Sequence, residues 1–124
     1  MSIDKFLKGI EEFNSELFFE CHDTLEEIWN DERDPELKKF YHGLIHTAVG
    51  FYHLTNLNFR GATNQLKKAV QKLEGYPETY MNIKLNDLLL NIRFWLEKAE
   101  NALNHNDKNF DFQNLPKIKF VEEK

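Results

Sequence analysis

The stretch FFECHDTLEEIW, residues 18–29, sets acids and a histidine among phenylalanines, a leucine and a tryptophan. Each residue of a helix turns about 100° around its axis. At that step Leu17, Cys21, Leu25 and Ile28 fall together, with Phe18 and Trp29 at one border. An apolar stripe of this period predicts a helix with one face in a core. His22 and Glu26 stand four apart beside Trp29 at the edge of the stripe, while Glu20, Asp23 and Glu27 form a separate strip facing mainly away.

The same period runs outward in both directions. Ser2 or Asp4 can cap a first helix carrying Phe6, Leu7, Ile10 and Phe13. Asn14-Ser15 offers a break and a new N-cap, with Glu16 in the first turn of a helix running to about Trp29. Asp34-Pro35-Glu36 combines a capping side chain, a proline at the first helical position and an acid favoured by the dipole, so a third helix starts there and runs to about Leu57. Asn58 caps a fourth helix through Leu73, with Gly61 in its first turn, and Gly75-Tyr76-Pro77 ends it. A last helix, Leu85 to Leu103, buries Leu88, Leu89, Ile92, Trp95, Leu96 and Ala99. No convincing period-2 run of β-branched residues intervenes. The expected fold is all-α: a single-domain bundle of about five helices over residues 1–104. Residues 105–124 form an extended C-terminal tail, in which Phe110, Phe112, Leu115, Ile118 and Phe120 are spaced to pack on the bundle or on a partner and Pro116 opposes a further helix.

Bulk properties narrow the function classes. The 124 residues carry 16 Lys+Arg against 21 Asp+Glu, a net charge of −5, which argues against broad binding to nucleic-acid backbones. Cys21 is the single cysteine, so no intramolecular disulfide forms, as suits a reducing cytoplasm. The N-terminal MSIDKFLKGIEEF is charged throughout, unlike a signal peptide, and no apolar run is long enough to span a bilayer. A cytoplasmic protein is expected.

His22 and Glu26 can meet through an i,i+4 contact in which the acid holds the imidazole proton or fixes its tautomer. The same pair could simply orient a helix at the core edge, with Cys21 a small buried hydrophobe. His22-Asp23-x-x-Glu26 looks like the zinc-protease pattern H-E-x-x-H without its second histidine. Zinc needs at least three protein ligands, so a metal there must draw on another helix. FYHGLIHTAVGFYH supplies the candidates: His42 and His46 lie one turn apart and could share a divalent metal, with His53 about 10 Å further along the same line. His22 or Glu26 could complete the pair if the second and third helices pack antiparallel. A solvated histidine stripe is the alternative. Gly43 and Gly50 lie on another side, where a neighbouring backbone could approach.

The segments FNSELFFECHDTLEEIW, FYHGLIHTAVGFYHLTNLNFRGATNQL and LEGYPETY resemble the domain of unknown function 309 family, a set of small, all-helical, mostly bacterial proteins. Its pattern E-x-H-[ED]-x-L-E-x-x-W maps onto Glu20, His22, Asp23, Leu25, Glu26 and Trp29, and continues with Gly43, Leu44, Ile45, Asn58, Gly61 and Ala62. Asp23 stands where the family usually has Glu, His42 and His46 where glutamine is expected at one or both, and Phe59 where Trp is common. Asn82 and Lys84 replace a typical Gly and Asp. The resemblance implies a helical bundle and a shared site near His22 and Glu26, and carries no established reaction.

The expected function is therefore a binding module, with Glu20, His22, Asp23, Glu26, Trp29 and Arg60 forming a polar patch for an unidentified small ligand or protein partner. A homodimer through a helix face is also possible. One alternative is a metal-dependent hydrolase using His22 and Glu26 with His42 and His46, although no complete catalytic constellation is readable. The other is a structural network in which Arg60 opposes Glu20 or Glu26 as a buried ion pair.

Overall fold

A computed structural model describes residues 2–105 and 110–121 of the chain. It is a bundle of five helices, as the apolar periods require: α1 (Ser2–Asn14), α2 (Phe18–Asp31), α3 (Pro35–Thr55), α4 (Phe59–Leu73) and α5 (Leu85–His105). α2 packs between α1 and α3, and α4 between α3 and α5. Most of the expected tail is described, while residues 106–109 and 122–124 lie outside the described residues.

Helix starts follow local chemistry where a capping side chain is present. Asp34 accepts a hydrogen bond from the Glu36 N–H at 3.1 Å and Pro35 opens α3. Asn58 accepts from the Gly61 N–H at 3.0 Å and opens α4. The start of α2 departs from the sequence expectation. Ser15 is not its N-cap and Glu16 is not in its first turn; Leu17 precedes the helix and makes no side-chain cap. Instead Glu16 adopts φ 61°, the Glu16 N–H bonds the Phe13 carbonyl at 2.9 Å, and the Leu17 N–H bonds the Glu12 carbonyl at 2.9 Å. This Schellman closure satisfies the last carbonyls of α1 with backbone donors. Asp4 lies inside the first turn of α1 rather than at its cap.

Between α4 and α5 a two-stranded hairpin, β1 (Thr79–Tyr80) and β2 (Ile83–Lys84), turns through Met81 and Asn82, both at positive φ. The tail adds to its edge: Ile83 pairs antiparallel with Phe120, and the Lys84 N–H bonds the Lys119 carbonyl at 2.8 Å.

The core is strongly aromatic. Phe13, Phe18 and Phe51 meet where α1, α2 and α3 converge, with centroids 5.2 to 5.8 Å apart. Phe51 reaches Trp95 of α5, and Phe110 of the tail lies 6.0 Å from the same indole. α3 and α4 approach closely because Gly43 and Gly50 lack side chains. A Cβ at either position would stand 2.6 and 2.5 Å from the Cδ2 atoms of Leu73 and Leu66. That approach turns the polar edge of α3 toward α4.

Candidate functional site

α3 carries a polar cluster on each of two flanks. On the first, α2 supplies His22, whose Nε2 lies 3.0 Å from Glu26 Oε2, the helical i,i+4 contact. Asp23 Oδ1 lies 3.2 Å from Nδ1 but off the line that a hydrogen bond needs, so Nδ1 is buried without a hydrogen-bond partner. The imidazole therefore sits between two carboxylates, with its side chain only 25% exposed.

Beside that ring a pocket of about 140 Å³ opens between α2 and α3, lined by Phe18, Phe19, His22, Val49, Tyr52 and His53. Phe19 and Tyr52 face each other at 5.6 Å on its rim and are 51% and 39% exposed, uncommon for aromatic rings that could have joined the core. His53 is fixed from the start of α4. The Asn58 side-chain amide donates to His53 Nδ1 at 3.3 Å, which leaves the ring proton on Nε2. Gly61 permits this: a Cβ there would lie 2.9 Å from His53 Cγ and Cδ2.

On the second flank the rings form a column. Lys38 Nζ lies 4.8 Å over the Trp29 indole, Trp29 is 4.9 Å from His42, and His42 stacks on His46 at 4.4 Å and 28°. His46 Nδ1 meets Gln65 Oε1 of α4 at 2.8 Å. A carboxamide oxygen only accepts, so Nδ1 carries the proton, and Nε2 keeps a lone pair that is buried without a partner. Burial pushes the His42 imidazole down to about 4, helped by His46, Lys72, Lys68 and Lys38. Burial also lowers His46, with Lys72 and Lys68 acting the same way against the Gln65 hydrogen bond.

The expected patch is thus divided. His22, Asp23 and Glu26 stay together, whereas Trp29 joins His42 and His46. Glu20 and Arg60 are exposed, and among the described residues Arg60 pairs with neither Glu20 nor Glu26. The buried ion pair considered from sequence is therefore not formed: all three side chains lie in solvent, where a pair contributes little. Stacking sets the His42 and His46 rings in near-parallel planes, so their in-plane lone pairs do not share one nearby point, and among the described residues no group of three or more His, Cys, Asp or Glu side chains is placed to hold a metal ion. Ligation by this pair would need one ring to turn and a further donor. Phe19, Tyr52, His53 and Gln65 were missing from the sequence-derived patch. His53 lies on the line of His42 and His46, but its partnership with Asn58 needs the α3–α4 turn.

Residues 6–65 match the family described as Domain of unknown function (DUF309). They belong to the DUF309 family. The DUF309 region contains most of α1, all of α2 and α3 and the start of α4, and so includes the ring column and every residue of the pocket. An uncharacterized protein of Aquifex aeolicus (strain VF5) is 30% identical over 87 residues, 70% of this chain and 25% of that protein. The uncharacterized protein YpuF of Bacillus subtilis (strain 168) is 33% identical over 57 residues, 46% of this chain and 33% of YpuF. The chain thus spans a quarter to a third of the length of these relatives. Among the described residues no helix is long and apolar enough to cross a membrane.

Proposed function

We propose that the chain is a binding module whose α2–α3 pocket receives an apolar, ring-sized group carrying a hydrogen-bond acceptor, from a small ligand or from a side chain of a protein partner. The observation that carries this is the pocket of about 140 Å³ on the His22 wall, with Phe19 and Tyr52 left exposed at its rim. An apolar cavity of about 150 Å³ is the size that accepts benzene. Two histidines supply the polar lining. His22 Nε2 lies 3.0 Å from Glu26 Oε2, an ion-pair contact that sets the ring as a wall, while His53 carries its proton on Nε2, the donor that a carbonyl or carboxylate would meet. A few placed polar groups in an apolar lining are the usual composition of a ligand site. Because Nε2 of His22 faces a carboxylate rather than an unoccupied space, the pair supports orientation better than proton abstraction from a substrate.

Benzoate tests the proposal as a ring with an acceptor. In amide and side-chain NMR spectra it should shift Phe19, His22, Tyr52 and His53 together. The response should vanish in Val49→Trp, which fills the pocket from its half-buried wall, and weaken in His53→Ala. Circular dichroism would verify that both variants fold. Shifts scattered over the surface, or unchanged in folded Val49→Trp, would rule the pocket out.

A further inference from the structure

The pocket between α2 and α3 is edged by charge of one sign. α2 carries Glu20, Asp23, Glu26, Glu27 and Asp31 and no lysine or arginine. Among the described residues only Glu27 of these five pairs with a lysine, Lys5 at 3.4 Å, and none pairs with an arginine. Asp23 and Glu26 both close on His22, at 3.2 and 3.0 Å, and His22 is a wall of the pocket. Two carboxylates outweigh one imidazole whether or not the ring is protonated, so this corner keeps a net negative charge. Both acids are exposed, open to a further partner. The α3 side of the pocket, residues 49–55, adds no lysine or arginine to offset them.

The apolar and the charged parts lie too far apart for one ring to use both. A cavity of about 140 Å³ closes over a single ring. Glu26 is outside its lining, one turn beyond His22 and about 6 Å further along the α2 axis. A ligand that meets both must extend past the pocket mouth, as a polypeptide does. Its backbone advances about 3.3 Å per residue, so a side chain one or two positions from the buried ring reaches the acids. Lysine and arginine fit that place, because their apolar stems can lie along an exposed ring such as Phe19 while the charge meets a carboxylate. The same acids oppose the phosphates of nucleic acid and of anionic lipid.

We infer that the α2–α3 site docks a basic segment of a protein partner. A phenylalanine or similar ring of that segment enters the pocket, and a lysine or arginine one or two residues away meets Asp23 and Glu26. The backbone carbonyls beside the ring supply the acceptor for His53 Nε2. This partner rests on the pocket proposed above and adds its charge and its polymeric nature, with complementary charge selecting among ring-bearing segments.

NMR titration at low ionic strength with acetyl-Lys-Phe-Lys-amide, acetyl-Glu-Phe-Glu-amide and acetyl-Lys-Ala-Lys-amide tests this, since flanking charges on both sides make chain direction immaterial. The basic ring peptide should shift Phe19, His22 and Tyr52 and bind about tenfold tighter than the acidic one, a gap that added salt narrows. Asp23→Asn with Glu26→Gln, both exposed, should remove most of that preference; if the double variant does not fold by circular dichroism, the wild-type comparison and its salt dependence decide. Equal affinity of the two ring peptides at low salt, both lost in folded Val49→Trp, keeps the pocket and overturns the basic partner. Neither ring peptide moving Phe19 and Tyr52, or shifts that persist in folded Val49→Trp, overturns the pocket and this partner with it. The alanine peptide binding as tightly as the basic ring peptide, or an unchanged preference in the folded double variant, also overturns the proposal. So does a concentration-dependent dimer in sedimentation that Tyr52→Ser abolishes, which would make a second copy of the chain the occupant.

Discussion

The side chain of Asn14 forms a two-way amide pair with the backbone of Ile118. Asn14 Nδ2 donates to the Ile118 carbonyl at 2.9 Å, and the Ile118 N–H donates to Asn14 Oδ1 at 2.7 Å. The partners are 104 positions apart, so the last turn of α1 fastens the tail as a neighbouring strand would. Asn14→Ala leaves both half-buried backbone groups without partners and should destabilise the protein by about 1–3 kcal/mol. Urea unfolding would measure the loss. Hydrogen exchange at the Ile118 amide should rise far more than at buried Phe51, and equal protection in both proteins would show that the pair does not fasten the tail.

Leu57 closes α3 in the left-handed region, at φ 62°, with its side chain more than half exposed. Its N–H bonds the Leu54 carbonyl at 3.0 Å and the Asn58 N–H bonds the His53 carbonyl at 2.8 Å, while Asn56 Nδ2 donates to the Tyr52 carbonyl at 2.9 Å, so backbone and asparagine side-chain bonds close the turn. Leucine pays about 1–2 kcal/mol for that conformation and glycine does not. Leu57→Gly should therefore stabilise the fold by up to about 1 kcal/mol, the remainder offset by the added freedom of the unfolded chain. A lower melting temperature in Leu57→Gly would mean that the exposed leucine makes a contact outweighing the backbone relief.

Gly50→Ala should have the opposite sign. The new Cβ would stand 2.5 Å from Leu66 Cδ2, 2.8 Å from its Cγ and 3.4 Å from its backbone nitrogen. Leu66 is fully buried, so it has little room to retreat. Overpacking of this kind costs about 1–3 kcal/mol. Because the His46–Gln65 contact between α3 and α4 depends on the same approach, Gly50→Ala should also move the His46 and Gln65 resonances. Unchanged stability would mean that Leu66 reaches another rotamer without strain.

What the sequence disclosed follows from how local each cause is. Asp34 and Asn58 cap α3 and α4 through side chains two and three residues from their donors, and both starts were legible. The α1–α2 junction was not, because Glu16 at φ 61° has no compositional signature and the bonds that hold it belong to the backbone. The hairpin escaped for a related reason: two-residue strands show no alternation, and Met81-Asn82 makes its turn without a glycine. Asn82 stands where the family resemblance expects glycine, and φ 64° accounts for that preference. At the site, the His22–Glu26 contact is set by one helix and could be read from spacing. The pocket and the His46–Gln65 bond depend on how α3 is rotated against α2 and α4, which no single period encodes. Arg60 was drawn toward the acids by charge alone, and the first turn of α4 leaves it in solvent.

His42 makes the second flank sensitive to acid, and the sign follows from linkage. Burial first, then His46, Lys72, Lys68 and Lys38, lower its folded-state pKa from 6.5 to about 4. Above pH 6.5 neither the folded nor the unfolded chain holds this proton, and the group is neutral to stability. As the pH falls below 6.5 the unfolded chain takes the proton up while the folded chain refuses it, so stability declines until about pH 4 and then levels off for this group. His46, lowered for the same leading reason, acts in the same direction. Carboxylates titrate in part of that range, so the comparison is with His42→Gln, which keeps them and removes the imidazole. Between pH 6.5 and 4 the wild-type melting temperature should fall further than that of His42→Gln, and the His42 ring should titrate by NMR with a midpoint about 4. A midpoint at or above 6.5 would place the ring in solvent, detached from the Trp29 column.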